Sequence, residues 1–205
     1  MPIVGSFAGA SARAYGLGAG VTPIVGDFES IQTITVGSGG AANVEFTSIP
    51  QTYTHLQIRF IARDNRATYG SDDFKMQING QTSANYYTNH RIYGTGASSG
   101  SEGYPTSSGI QGYLMGVPSA SGSSANVFGV AIVDILDYRN TNKLKTFRSL
   151  SGVENNSSNG NTLGAVLLFS GTYLDTTAIS SIKVSPGNGT SINQHSSFAL
   201  YGVNA

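Results

Sequence analysis

"THLQIRFIA", residues 54–62, alternates apolar and polar side chains with a period of two. Its apolar positions are Leu56, Ile58, Phe60 and Ala62. A period of two is the pattern of a β-strand that has one buried and one solvated face. We therefore predict a half-buried strand here.

Further strands are indicated on both sides of this segment. "FKMQI" (74–78) repeats the alternation and ends in Asn79-Gly80, a dipeptide that suits the tight turn of a hairpin. Shorter candidates are "NVEF" (43–46), "ISSIKVS" (179–185) and "SSFALYG" (196–202), with "PGNG" (186–189) as the turn before the last of them. About nine to eleven short strands between turn signals predict an all-β fold, a β-sandwich, with a jelly roll as the preferred topology.

Two segments are apolar almost without interruption: "NVFGVAIVDIL" (126–136) and "LGAVLLF" (163–169). A strand with one wet face should alternate, so a continuous run indicates that both faces are covered. No long segment has the apolar spacing of a helix that could supply the second cover. We therefore expect an oligomer, with these interface candidates: Val130, Ile132, Leu167 and Phe169.

The composition excludes several classes of function. Only 11% of the 205 residues are charged and the formal net charge is zero, so no bulk field attracts nucleic acid. The absence of cysteine excludes disulfides and thiolate metal sites. The chain lacks a run of about 18 apolar residues, and its opening segment is a poor signal peptide. We expect no nucleic-acid partner, no membrane insertion, no cofactor and synthesis in a cytoplasm without an export signal.

Motifs for catalysis or metal binding are weak. "GASSG" (96–100) matches a nucleophile elbow around Ser98, but it lies in a Gly/Ser-rich stretch without a following helix. Asp72-Asp73 are expected in a solvated turn, facing opposite ways. The three histidines have no local ligand spacing. We predict neither a catalytic residue nor a metal site, and no enzyme.

A tyrosine-rich segment, "NYYTNHRIYG" (85–94), leads into the low-complexity stretch 93–109. Tyrosine offers a rigid ring with a polar tip, which suits sugar and protein surfaces. The candidates for contact with a receptor are Tyr86, Tyr87, His90, Arg91, Tyr93 and Tyr104. The alternative is that one row of tyrosines packs in the core while the rest decorate the surface.

The composition predicts that residues 1–28 form an arm attached to a domain over 29–205. "SFAGASARAYGLGAG" (6–20) is rich in Gly and Ala, which allow close backbone approach to a partner. Arg13 and Tyr15 could fix its register there. The alternative is a disordered tail without a function.

Several segments resemble structural proteins of tailed bacteriophages, and of cyanophages especially. These segments are "AGASARAYGLGAG" (8–20), the stretch 31–65, "MQINGQTSANYYTNHRIYGTG" (76–96) and "SFALYGV" (197–203). The resemblance implies a virion protein of the tail-fibre type, a homotrimer, whose arm docks on the baseplate or tail. It also implies that the loops 93–109, 118–126 and 155–161 face outward and could contact a host surface glycan. The alternatives are a capsid decoration or head-fibre protein, a polysaccharide-binding module and a depolymerase.

Overall fold

The computed structural model describes residues 27–66, 71–95, 98–104, 112–118, 126–154 and 164–204. This part of the chain forms twelve β-strands and one short 3₁₀ turn at Ala84–Tyr86. The strands are β1 (Phe28–Thr35), β2 (Val44–Phe46), β3 (His55–Ala62), β4 (Ser71–Ile78), β5 (Tyr87–Thr95), β6 (Ser99–Tyr104), β7 (Gly112–Pro118), β8 (Gly129–Ile135), β9 (Lys145–Val153), β10 (Ala165–Tyr173), β11 (Ile182–Pro186) and β12 (Ser197–Val203).

The strands form two antiparallel sheets that pack face to face, which confirms the β-sandwich. The larger sheet has the order β1-β12-β3-β8-β9-β10-β5-β6, and the smaller sheet has the order β2-β11-β4-β7. The first four strands of each order are connected as in a jelly roll, because β1 to β4 alternate between the sheets, as do β7 with β8 and β11 with β12. The remaining strands, β5, β6, β9 and β10, extend only the larger sheet.

The core lies between the sheets and follows the predicted alternation. The apolar positions of 54–62 are all buried, and so are Phe74, Met76 and Ile78 on the facing sheet. At the centre, the ring centroid of Phe60 lies 4.9 Å from that of Phe198 and 5.9 Å from that of Phe74. This aromatic cluster joins β3 and β12 of one sheet to β4 of the other.

The turn at Asn79-Gly80 forms, but the expected hairpin does not. Both residues have positive φ, 51° and 71°, and the amide of Gln81 donates to the carbonyl of Ile78 at 2.9 Å. However, β4 and β5 belong to different sheets, so the turn carries the chain across the sandwich. The prediction of a tight turn at Asn79-Gly80 is therefore confirmed, and the prediction that this turn joins two paired strands is wrong.

The stretch 93–109 is not a loop throughout. Residues 99–104 form β6, which pairs with β5 in a hairpin and makes one edge of the larger sheet. Residues 105–111 lie outside the described part of the chain, as do 119–125 and 155–163, which hold most of the other two low-complexity stretches. Their outward placement stays a prediction.

The two continuous apolar runs alternate in the fold. On β10, Leu167 and Phe169 point into the sandwich and are buried. Their assignment to an interface is therefore corrected, since the core of the same chain already covers them. Val130 and Ile132 on β8 do lie on the outer face, 51% and 43% exposed.

The proposed arm lies almost entirely outside the described residues, which begin at residue 27. Arg13 and Tyr15 fall in this part, so their docking role stays a prediction. Strand β1 begins at Phe28 and forms the other edge of the larger sheet, opposite β6. The boundary between an arm over 1–28 and a domain over 29–205 stays a prediction.

Candidate functional site

Charged side chains collect at one end of the sandwich. Asp72 and Asp73 stand near the start of β4, while Arg91 lies on β5 and Glu102 on β6. The Asp73–Arg91 pair links the two sheets, because β4 and β5 belong to different ones. The expectation that the two aspartates occupy a solvated turn is wrong, since both belong to a strand and Asp72 is buried.

Arg91 is held from several sides. Its Nη1 lies 3.2 Å from Oδ2 of Asp73, and its Nη2 lies 2.7 Å from Oε2 of Glu102. The guanidinium carbon is 5.4 Å from the ring centroid of Tyr93 and 5.7 Å from that of Tyr104. The hydroxyl of Tyr104 donates to Glu102. These contacts fix the plane of the guanidinium, whose buried Nε has no hydrogen-bond partner in the described part of the chain.

The charges of this group are mutually stabilised. Burial raises the pKa of Asp73 to about 6, against the attraction of Arg91, which lowers it. Hydrogen bonds from Arg91 and Tyr104 hold the pKa of Glu102 below its usual range. Burial would lower the pKa of Arg91, but hydrogen bonding to Glu102 and the charge of Asp73 outweigh it, so that this pKa is raised. At neutral pH the site is a fixed cation between two carboxylates.

A second carboxyl pair lies deeper. Asp64 is fully buried and faces Asp72, which accepts hydrogen bonds from both nitrogens of Asn188 and from the amide of Gly189 at 2.7–2.8 Å. Arg66 adds an ion pair to Asp72 at 3.2 Å. Burial raises the pKa of Asp64 to about 8, and Asp72 adds to this rise through a shared hydrogen bond and its charge. Because Asp72 accepts these hydrogen bonds and pairs with Arg66, the arrangement favours the ionised form of Asp72 and the protonated form of Asp64.

The "PGNG" turn closes tightly over this pair. A Cβ atom added to Gly189 would lie 2.5 Å from Oδ2 of Asp64, and one added to Gly187 would lie 2.3 Å from the carbonyl oxygen of Asp73. Only glycine permits such an approach without a shift of its neighbours. The Asp64–Asp72 pair consequently has a structural role, since it connects the turn at 186–189 to β4.

A small cavity adjoins the fixed cation. Its volume is about 170 Å³, well below the roughly 300 Å³ at which drug-sized pockets begin. Its polar wall holds Arg66, Asp72, Asp73, Arg91, Tyr93 and Thr95, and its apolar wall holds Val153, Ala165 and Leu167. The cavity therefore offers two cations, two carboxylates and one aromatic ring to a ligand of about one ring in size.

The structure divides the six tyrosine-segment candidates. Arg91, Tyr93 and Tyr104 come together, as described above. Tyr87 is buried, and its hydroxyl accepts from the amide of Ile78 at 2.9 Å, so its assignment to a receptor contact is corrected to a core role. Tyr86 is partly buried beside Tyr173, and His90 is exposed on the opposite face of β5.

Sequence reasoning missed the acidic partners Asp73 and Glu102 and the neighbouring Arg66. One signal was present, because "RDNR" (63–66) places three charges within four residues of a chain that is only 11% charged. Charges are rarely concentrated without a partner across the fold, and here the partners are β4 and the turn at 186–189.

Other chemistry finds no site in the described ranges. Ser98 sits in the turn between β5 and β6, where its amide donates to the hydroxyl of Thr95 at 3.0 Å, and a strand follows it instead of the helix that an elbow needs. Among the described residues, no group of three or more His, Asp or Glu side chains could hold a metal ion. The same residues include no helix with the length and apolar character needed to cross a membrane.

Comparisons with known proteins found no match among family models, curated proteins or solved structures. The jelly roll and its charged end are therefore the basis for assigning a function.

Proposed function

We propose that the protein is a structural component of a bacteriophage particle, of the tail-fibre or tail-associated type, and that its charged end binds a glycan of the host surface. The observation that carries the binding role is the Arg91 guanidinium, fixed between two carboxylates and two tyrosine rings beside a cavity. The particle role is supported by the resemblance of the sequence segments and by the jelly roll, an architecture used by viral capsid and lectin domains.

The chemistry of the cavity suits a sugar. Vicinal hydroxyl groups can donate to Asp73 and accept from Arg66 and Arg91, while the face of Tyr93 can pack on the C–H surface of a pyranose ring. Because the ion pairs and rings already hold Arg91, little ordering entropy is lost on binding. A neutral or singly charged monosaccharide unit at the end or branch of a glycan fits this wall best.

Attachment to the particle is assigned to residues 1–28. Their Gly/Ala-rich backbone can follow a narrow groove on the baseplate or tail, with Arg13 and Tyr15 as anchors. A homotrimer is the assembly that the resemblance favours.

Mass spectrometry and antibody labelling of purified particles test the particle role. We expect the protein at the tail tip or on its fibres. Absence from particles would refute this role, and labelling of the head would favour the alternative of a capsid decoration protein.

Adsorption of particles to host cells tests the binding role. Tyr93→Ala and Glu102→Gln should reduce adsorption at least tenfold while the sandwich stays folded. His90→Ala is the matched control, since His90 lies on the same strand but on its opposite face. Equal adsorption by all three variants would refute glycan binding at the charged end.

A depolymerase is the second candidate, favoured by one observation: Asp73 and Glu102 flank a single guanidinium. Both carboxylates are held in ion pairs with the same Arg91 side chain, and an inverting or retaining glycosidase needs its two carboxyl groups directed at the scissile bond instead. Release of reducing ends from host polysaccharide by the wild type, with loss in Glu102→Gln, would establish this activity against our proposal.

A further inference from the structure

The outer face of the larger sheet carries an apolar surface. Seven aliphatic side chains on five neighbouring strands are each 41–62% exposed: Ile61, Ile92, Val130, Ile132, Leu150, Val166 and Leu168. Together they expose on the order of 600 Å², which is at the top of the range for the largest patch of a monomer. We call these seven residues the outer apolar face.

The pairing register arranges this face in two parallel rows. The first row is a ridge, in which Ile132 lies opposite Leu150, Leu150 opposite Leu168, and Leu168 opposite Ile92. The ridge thus consists of large aliphatic side chains on four adjacent strands. Such cross-strand neighbours touch, so the ridge is continuous.

The second row is a groove that runs beside the ridge. Val130 pairs with Gly152, Gly152 with Val166, and Val166 with Gly94. The two glycines leave gaps between the valines, and a groove of about 770 Å³ extends from this row towards Phe128. Since the rows are two residues apart along each strand, their axes lie roughly 7 Å apart.

The polar border of the face is close to charge balance, with the cations Arg59 and Arg148 beside the carboxylate of Asp134. Arg148 pairs with Asp134 at 2.8 Å, and Gln57 donates to the same carboxylate at 2.7 Å. Arg59 donates to Gln57 at 2.7 Å. Two copies of this border can therefore approach without strong like-charge repulsion, which is consistent with the zero net charge of the chain.

We propose that a second copy of this chain covers the outer apolar face. A ridge beside a parallel groove is self-complementary, because a two-fold axis that lies in the interface plane, parallel to the two rows and midway between them, places the ridge of one copy over the groove of the other. The aliphatic area approaches the roughly 800 Å² that each partner contributes to a standard interface, and the polar border can supply the rest. The interface goes beyond the proposed function and does not depend on glycan binding.

The experiment measures mass in solution on the full chain. Light scattering at micromolar concentration should give two chains for the wild type, or six if trimers pair through this face. A mass of one or three chains would overturn the proposal. One chain would also be the result if residues 1–26 of the same chain, or a different protein, covered the face.

Variants locate the contact. Leu150→Lys places a charge in the middle of the ridge and should halve the mass, with loss of any dependence of the Tm on protein concentration. Thr146→Lys is the matched control, because Thr146 is exposed on the same face of β9 but outside both rows, and it should keep the wild-type mass. An unchanged mass in Leu150→Lys would overturn the proposal.

Val130→Lys probes the groove independently, and circular dichroism checks that both lysine variants remain folded. If Leu150→Lys were unfolded, a folded Val130→Lys with half the wild-type mass would carry the same conclusion. A folded Val130→Lys with unchanged mass would overturn it.

Discussion

The sandwich has two regions that share strand β4 and are stabilised by different interactions. Phe74 belongs to the aromatic cluster at the centre, and Asp72, two residues earlier on the same face of β4, belongs to the charged end. The centre is stabilised by buried area, which has no direction. The charged end depends on hydrogen bonds, each of which needs its own partner. The first region is therefore sensitive to lost volume, and the second is sensitive to the loss of a particular donor or acceptor.

The largest effect is expected at the centre. Phe198→Ala removes a fully buried ring between two others and should lower the free energy of unfolding by about 3–5 kcal/mol. Urea denaturation of the purified protein measures this loss. Phe28→Ala is the control, because Phe28 is 39% exposed and packs at the sheet surface against Tyr201 and the Arg59 guanidinium, where we expect a loss of no more than about 1 kcal/mol. Equal losses would remove the distinction between core and surface rings.

At the charged end, Asp72→Asn should cost about 2–3 kcal/mol although it changes the volume very little. The asparagine can accept only some of the hydrogen bonds from Asn188 and Gly189, and the substitution removes the ion pair with Arg66. Asp134→Asn is the control at a partly exposed ion pair on the outer face of the larger sheet and should cost less than about 1 kcal/mol. A loss below about 1 kcal/mol for Asp72→Asn would show that water can replace the hydrogen bonds that Asp72 accepts from the turn.

The pH dependence of stability separates the regions further. The pKa of Asp64 is raised to about 8, so the folded state holds a proton that the unfolded chain releases near its ordinary pKa. Its contribution is complete below that ordinary value and is lost as the pH rises towards 8. We expect the free energy of unfolding to fall across this window with a slope of at most about 1.4 kcal/mol per pH unit.

Asp64→Asn should flatten this pH dependence, because an amide carries no titrating proton. Denaturation at several pH values between 4 and 8 measures it. Asp72, Arg66 and the amide of Gly189 face this group, and Asp73 titrates in the same window because its pKa is about 6. A slope that is identical in wild type and Asp64→Asn would assign the dependence to Asp73 instead.

The smallest effect on stability is expected where the charged end meets the cavity. Arg91→Lys keeps one positive charge but cannot bridge Asp73 and Glu102 with the same fixed plane, and it should cost no more than about 1 kcal/mol. Glycan binding, measured on an array of host polysaccharides, should nevertheless fall strongly. If binding survives in Arg91→Lys, the point charge suffices and the planar guanidinium is not required.

The centre was largely predictable from the sequence, and the charged end was not. Alternation at 54–62 and 74–78 identified the buried positions, because a strand has only two faces. The strand order was out of reach, since neighbours such as β1 and β12 are far apart in the chain. Two adjacent aspartates in the sequence do not indicate that one of them is buried. The groups that donate hydrogen bonds to Asp72, from Asn188 and Gly189, belong to a turn that is far away in the chain.

The continuous apolar runs were informative in an unexpected way. Their continuity predicts that both faces of β8 and β10 are covered. It does not predict which residues of these strands are buried in the core. Leu167 and Phe169 are buried within the chain, whereas their neighbours Val166 and Leu168 lie outside. A shift of one residue inverts every position of a strand, and only the register against β5 and β9 resolves it.

The place of β12 in the larger sheet has a consequence for biosynthesis. This strand lies between β1 and β3 and hydrogen-bonds to both, yet the ribosome makes it after every other described strand. Until β12 is made, β1 lacks the described strand with which it pairs, and one edge of β3 has unpaired backbone groups. Phe60 and Phe74 also lack the ring of Phe198 and stay incompletely covered in the nascent chain. Sheet closure therefore joins segments that are far apart in the chain, which makes folding slow and leaves time for chaperones to engage the chain.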